Sequence, residues 1–255
     1  MSGHSKWSTI KHKKELNDSK KGKVFSKIST QLTHAARQGG GDPDMNPSLR
    51  MYIDKAKSAG FPVDNIKKAI EKGTGEGDNG VVFEEASYEG FGPGGIGIIV
   101  DVLTDNKNRV VADLRNMFSE FGGNLGDLGS VSWNFETRGL VVVKCGHMEK
   151  GEKYGDEDRF VEENKEEVMM KIMDIDGIMD IEDDKGELSI FTEFQNMTKV
   201  RDEISKLGYV LEDASIVKLA KMDKKLEGEK YEKAIEAIDK IEEYDDVQNV
   251  WTDLG

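Results

Sequence analysis

The side chains best suited to chemistry crowd the start of this sequence: His4, Ser5, Lys6 and Trp7, then Lys11, His12, Lys13 and Lys14. Lysines neutralise phosphates and release counterions, while an indole stacks on an unpaired base for about 1–3 kcal/mol. With little apolar surface beside them, these residues favour single-stranded or structured RNA over plain duplex. Trp7 has a second reading, as a plug in a helical core. Farther on, a helix advancing about 100° per residue places Lys20, Lys23, Lys27, His34 and Arg37 in one sector. Val24, Phe25, Ile28, Leu32 and Ala35 fall in another, roughly 135° away. One face packs and the other stays charged.

Other constellations fail on their spacing. Gly92-Pro93-Gly94-Gly95-Ile96-Gly97 matches G-x-G-x-x-G, but a dinucleotide fingerprint needs a helix N-terminus after it, and here a strand follows. It reads as a hairpin turn. His4, His12 and His34 are too far apart for local zinc spacing, and Cys145-Gly146-His147 supplies only two neighbouring ligands. Asp174, Asp176, Asp180, Asp183 and Asp184 are dense but lack the ligand order of a calcium loop, so they read as a solvated acidic edge. No nucleophile, base and orienting group can be argued from spacing. The sequence therefore predicts no catalytic residue, no metal, no cofactor and no small-molecule substrate.

Several elements must position the cationic segment. Asp18 can cap a helix over Ser19–Gln38, stopped by Gly39-Gly40-Gly41. Asn46-Pro47 opens a second helix to about Ser58, Gly60-Phe61-Pro62 breaks it, and Asp64 starts a third that Gly73 ends. The glycine-rich run from Gly73 to Gly80 has linker composition. Beyond it the period shortens towards 2, with strands at Val81–Phe83 and Ile96–Leu103 and a helix over Lys107–Phe121. Further strands are expected at Val131–Phe135, Leu140–Lys144, Gly177–Ile181, Leu188–Thr192, Tyr209–Leu219 and Val247–Trp251. Helices are expected at Phe160–Met173, Asn196–Leu207 and Leu226–Glu243. This order predicts an α+β multidomain fold, helices layered on antiparallel or mixed sheets.

Charge is divided along the chain. Over 255 residues the formal net charge is −14. Residues 1–72 hold 15 Lys and Arg against 7 Asp and Glu, a net +8, leaving 21 against 43, a net −22, for the rest. Phosphate binding needs only a local cluster of cations, so this asymmetry fits a nucleic-acid-binding arm joined to acidic domains. A solvated charged tail has the same composition. No apolar run approaches the roughly 18 residues of a membrane span. The basic N-terminus lacks the apolar stretch of a secretory signal. The single Cys145 permits no internal disulfide. A cytoplasmic protein with no membrane partner is the expectation.

At Gly3-His4-Ser5-Lys6-Trp7 and Ile10-Lys11-His12-Lys13-Lys14 the sequence resembles the YebC/PmpR family, which includes mitochondrial translational activators. Lys20 to Phe25, Gly39 to Pro43, Asn46 to Arg50, Tyr88 to Gly95, Leu103 to Arg109, Gly122 to Gly126, Gly129 to Trp133 and Asp245 to Val250 agree with it. The resemblance implies a three-helix-type N-terminal domain and two α/β sandwich domains with ferredoxin-like layers, one inserted in the other. The expected boundaries are 1–79, then 80–130 joined to 207–255, with 131–206 inserted. It also implies a regulator of gene expression. The family is described both as translation factors easing difficult, proline-rich stretches and as DNA-binding transcriptional regulators. Carried onto this chain, it weights the arm, then the loop with Gly92, Pro93 and Gly94 and the turn with Asn106 and Arg109. A ribosome would offer rRNA or tRNA to the arm and basic proteins to the acidic domains; DNA is the alternative partner.

Overall fold

The computed structural model describes residues 21–75, 83–149, 159–184 and 186–255. Among them the chain forms, in order, α1 (Lys21–Gly39), α2 (Pro47–Ser58), α3 (Val63–Gly73), β1 (Glu84–Phe91), β2 (Gly97–Thr104), α4 (Lys107–Glu120) and β3 (Asn124–Leu125). Next come β4 (Phe135–Glu149), β5 (Arg159–Glu162), α5 (Lys165–Met173), β6 (Ile178–Asp184), β7 (Glu187–Glu193) and α6 (Met197–Lys206). The last are β8 (Tyr209–Ala220), α7 (Glu229–Glu242) and β9 (Val247–Thr252). The fold is α+β, as expected. The described residues divide into two compact units, 21–136 with Leu219–Gly255, and Thr137–Lys218.

In the first unit, α1 to α3 bury Ile28, Leu32, Leu49, Ala56, Phe61, Ile66 and Ala69 in one core. Phe25 meets Phe61 edge to face, their centroids 5.1 Å apart. The stops and starts are side-chain chemistry. Buried Asn46 caps α2 by accepting from Leu49 N at 3.0 Å, and its amide donates back to Ala35 O (2.8 Å) and Gly40 O (2.9 Å) at the end of α1. One residue thus satisfies orphan groups of two helices. Gly73 lets α3 approach α1, since a Cβ there would sit 2.3 Å from Thr33 O. The expected Asp18 cap, the start of the linker strand at Val81-Val82 and most of the glycine-rich linker lie outside the described residues.

The same unit holds an antiparallel sheet in the order β3-β1-β2-β9. Strand alternation sends Ile98, Val100 and Val102 of β2 to one face, where they pack with Val110, Leu114 and Phe118 of α4 and Ala234, Ile238 and Ile241 of α7. Ile99 points the other way and packs with Val131 and Phe135. Asp101 shares that face, in line with Ser87 of β1 and Asn249 of β9. The β2–β9 register breaks between Asp101 and Val102, which pair with Asn249 and Val247. Gln248 is the extra residue of this bulge.

The second unit carries β4 paired antiparallel with β5 and with β7, β7 with β6, and β8 on β4. Its buried residues include Leu140 to Val143, Leu188, Ile190, Val168, Ile172, Val200 and Ile204. The unit spans Thr137–Lys218 where the expected insert spans 131–206, and β8 pairs with β4. Two expectations need correction. Ser132–Asn134 is a 3-10 turn, not a strand, because the Val131 and Ser132 N–H groups donate to the Glu89 carboxylate instead of a ladder. The helix expected from Phe160 begins at Lys165, where the Asn164 side chain accepts from Glu166 N and Glu167 N, while Arg159–Glu162 pairs with β4.

Candidate nucleic-acid interface

His4, Ser5, Lys6, Trp7, Lys11, His12, Lys13, Lys14 and Lys20 lie outside the described residues. The cations of α1 do not share one open face, which corrects the two-face expectation for Lys27 and His34. Lys27 Nζ donates to Glu242 O at 2.6 Å and Lys23 Nζ to Glu243 O at 3.2 Å, at the carbonyl end of α7. Cations there meet the negative end of the helix dipole. Burial, opposed by the nearby Glu242 and Asp245 carboxylates, pushes the Lys27 amine down to about 8. His34 is buried, its Nε2 2.9 Å from Gln38 Nε2 and 3.4 Å from Glu85 Oε1. Lys23 is half exposed, and Arg37 has partners of its own. The cations that the helices hold out to solvent include Lys57 on α2 and Lys67, Lys68 and Lys72 on α3.

The two lower-weighted loops are built structures. Gly92, Pro93 and Gly94 make the expected turn from β1 into β2: Gly92 N donates to Ile96 O at 2.8 Å and Gly95 N to Gly92 O at 2.9 Å. Gly94 takes φ 68°, a left-handed value that favours glycine. A Cβ on it would also strike Leu226 at 2.8 Å. Asn106 caps α4 by accepting from Arg109 N at 3.0 Å. Arg109 reaches Asp246 at 2.6 Å and Asp105 at 3.1 Å, and Asp246 also accepts from Thr104 Oγ1 at 2.7 Å. Hydrogen bonds to Asp246 and Tyr244 hold the guanidinium firmly charged. This turn therefore locks β9 to the start of α4.

Sequence reasoning passed over two features. Glu89 is buried, and its carboxylate accepts from the backbone N–H groups of Gly129 (2.9 Å), Val131 (2.6 Å) and Ser132 (2.8 Å). Burial pushes its pKa up, but those donors prevail and hold it below the ordinary range. The loop so gathered presents Trp133, 61% exposed, whose indole N–H donates to Ser130 O at 3.0 Å. The second feature is a cleft of about 400 Å³ between α1, α2 and the sheet face bearing Asp101, lined by Gln31, His34, Tyr52, Glu85, Asp101 and Gln248 among others. Its one sequence signal is Gln31, a polar residue on the apolar stripe between Ile28 and Leu32. Among the described residues no group of three or more His, Cys, Asp or Glu could hold a metal ion. No described helix is long and apolar enough to cross a membrane.

Comparison with known proteins places these features in a family. Residues 5–76 match the TACO1/YebC protein N-terminal domain, and residues 83–254 the TACO1/YebC second and third domain. A "Probable transcriptional regulatory protein" of Geotalea uraniireducens is 44% identical over 254 residues, covering 100% of this chain and 96% of its own. A protein of the same description from Caldanaerobacter subterraneus is 45% identical over 251 residues, covering 98% and 97%. The crystal structure of a conserved hypothetical protein from Aquifex aeolicus superposes with a TM-score of 0.78 at 34% identity, covering 92% of this chain and 90% of that one.

Proposed function

Because the chain belongs to the TACO1/YebC family, we propose that it is a non-enzymatic regulator of gene expression that holds RNA, on the ribosome, through its cationic N-terminal segment. The carrying observation is the division of charge, +8 over residues 1–72 against −22 over the remainder. A polyanion is attracted to the first part and repelled by the second, so contact is confined to one end of the chain. Lys6, Lys11, Lys13, Lys14 and Lys20 neutralise phosphates, His4, Ser5 and His12 donate hydrogen bonds, and Trp7 stacks on an unpaired base. Lys23 and Arg37 flank them. Lys27, turned onto α7, contributes to the fold instead. The exposed Lys57, Lys67, Lys68 and Lys72 extend the cationic surface on α2 and α3.

The printed descriptions of the relatives favour a second reading, a transcriptional regulator acting on duplex DNA. Against it stands geometry: Lys27, in the charged sector of α1, is spent on the carbonyl end of α7 and does not face a groove. The deciding experiment sediments the full chain with purified ribosomes at low and high salt, beside filter binding to duplex promoter fragments. Salt-sensitive co-sedimentation lost on changing Lys11, Lys13 and Lys14 together to Ala supports the RNA reading. Salt-resistant preference for one promoter, with no co-sedimentation, supports the DNA reading.

A further inference from the structure

The cleft between α1, α2 and the sheet holds three buried polar atoms that have no hydrogen-bond partner among the described residues: Gln31 Oε1, His34 Nδ1 and Gln248 Oε1. Such atoms are rare in folded proteins, because each gives up its bonds to water without replacement. Gln31 is 6% exposed and His34 7%. Both amide oxygens can only accept. The Gln248 assignment is fixed locally, since its Nε2 donates to Asp246 O at 3.3 Å. At His34, Nε2 lies 2.9 Å from the Gln38 amide nitrogen and 3.4 Å from Glu85 Oε1, and the role of Nδ1 follows the ring tautomer. The two amide oxygens want N–H donors.

The charges around them agree. Glu85 and Asp101 line the cleft and, among the described residues, no Lys or Arg does. Asp101 is held in place by Trp251 Nε1 at 2.6 Å and Ser87 Oγ at 2.8 Å. Tyr52 adds an aromatic wall. From carboxylates, two unpartnered amide oxygens and a phenol ring in one cleft, we infer that it binds a guanidinium group. A guanidinium is planar, permanently charged, carries five N–H donors in a fixed fork and stacks on aromatic faces. A phosphate would meet two carboxylates and no cation. The inference is independent of the nucleic-acid reading, because it is argued from cleft residues outside the arm. The group has two possible sources, a free small cation or the arginine side chain of a partner protein.

The test is calorimetric titration of the full chain with agmatine and with an end-blocked Gly-Arg-Gly tripeptide, against sodium chloride of equal ionic strength and against AMP. Saturable binding of one guanidinium per chain is expected, weakened at least tenfold by Glu85→Gln and by Gln248→Leu. Tighter tripeptide binding assigns the group to a partner's arginine, and tighter agmatine binding to a free cation. Three outcomes overturn the inference: no binding above the salt control, equal affinity in wild type and Glu85→Gln, or AMP binding that exceeds agmatine binding and falls with the same substitutions. Glu85 is well exposed, so Glu85→Gln keeps the test decisive if Gln248→Leu fails to fold.

Discussion

Replacing Lys27 by methionine tests how its amine is held. The residue keeps its stem packed beside α7 while Nζ donates to Glu242 O at 2.6 Å, and burial lowers its pKa to about 8. Below that pH, Lys27 is charged whether the chain is folded or unfolded, and the cost of burying the charge is fully present. Between about 8 and the ordinary value near 10.4, the folded state sheds the proton and the unfolded chain keeps it. The unfolded state then binds more protons, so stability rises with pH across this window. At about 1.4 kcal/mol per pH unit the whole effect is about 3 kcal/mol, of which about 2 is released from about pH 7 to about pH 9.5. Methionine removes the charge and also the charge-assisted bond to a helix end, worth about 1.5–3 kcal/mol. At neutral pH the two changes nearly offset, leaving the variant within about 1 kcal/mol of wild type. As pH rises, wild type should gain about 2 kcal/mol on Lys27→Met. Urea unfolding followed by circular dichroism on both proteins at several pH values measures this, and subtraction removes the contributions that the two proteins share. A difference that stays constant with pH refutes the reasoning.

Asn46→Ala should cost about 2–3 kcal/mol in thermal or urea unfolding, because it removes the α2 cap and two buried donors to the end of α1; a loss below about 0.5 kcal/mol would deny the double role. Glu89→Gln should destabilise by about 2 kcal/mol at neutral pH. Because the Glu89 pKa is depressed, its contribution is complete above the ordinary carboxylate value and lost as pH falls through the folded one, so the gap to Gln should close in acid. A gap that persists in acid unfolding curves would assign the effect to packing. Changing Lys11, Lys13 and Lys14 together to Ala should flatten the slope of log affinity for single-stranded RNA against log salt by about 2, at about 0.7 per phosphate contact; an unchanged slope denies the contacts.

Much of the fold is legible because its punctuation is local. Asn46-Pro47 starts a helix with residues that touch within three positions, and Gly40 beyond α1 takes φ 86°. The alternation of β2 names its helix-facing residues directly. What could not be read depends on partners far away in sequence. The charged sector of α1 has the pattern of a solvated face, yet Lys27 finds its acceptor 215 residues later. Val131 to Phe135 has strand composition, but its N–H groups answer to a carboxylate 42 residues earlier. The cleft is harder still. Gln248 is aimed by a bulge in the β2–β9 pairing, a property of register that no residue near it announces.

The same sheet has a consequence for how the chain is made. β2 gains its second neighbour only from β9, and Gly97 N donates to Asp253 Oδ1 across 156 residues. A ribosome releasing this chain therefore exports β1, β2 and α4 early, with Ile98, Val100 and Val102 still lacking α7. Thr137–Lys218, whose strands pair among themselves, can fold as it emerges. At about 5–20 residues per second its synthesis holds the earlier hairpin half-covered for roughly 4–16 s. The nascent chain is most exposed to aggregation in that interval. A truncation soon after Lys218 would yield a finished inner domain carried on an outer one that never closes.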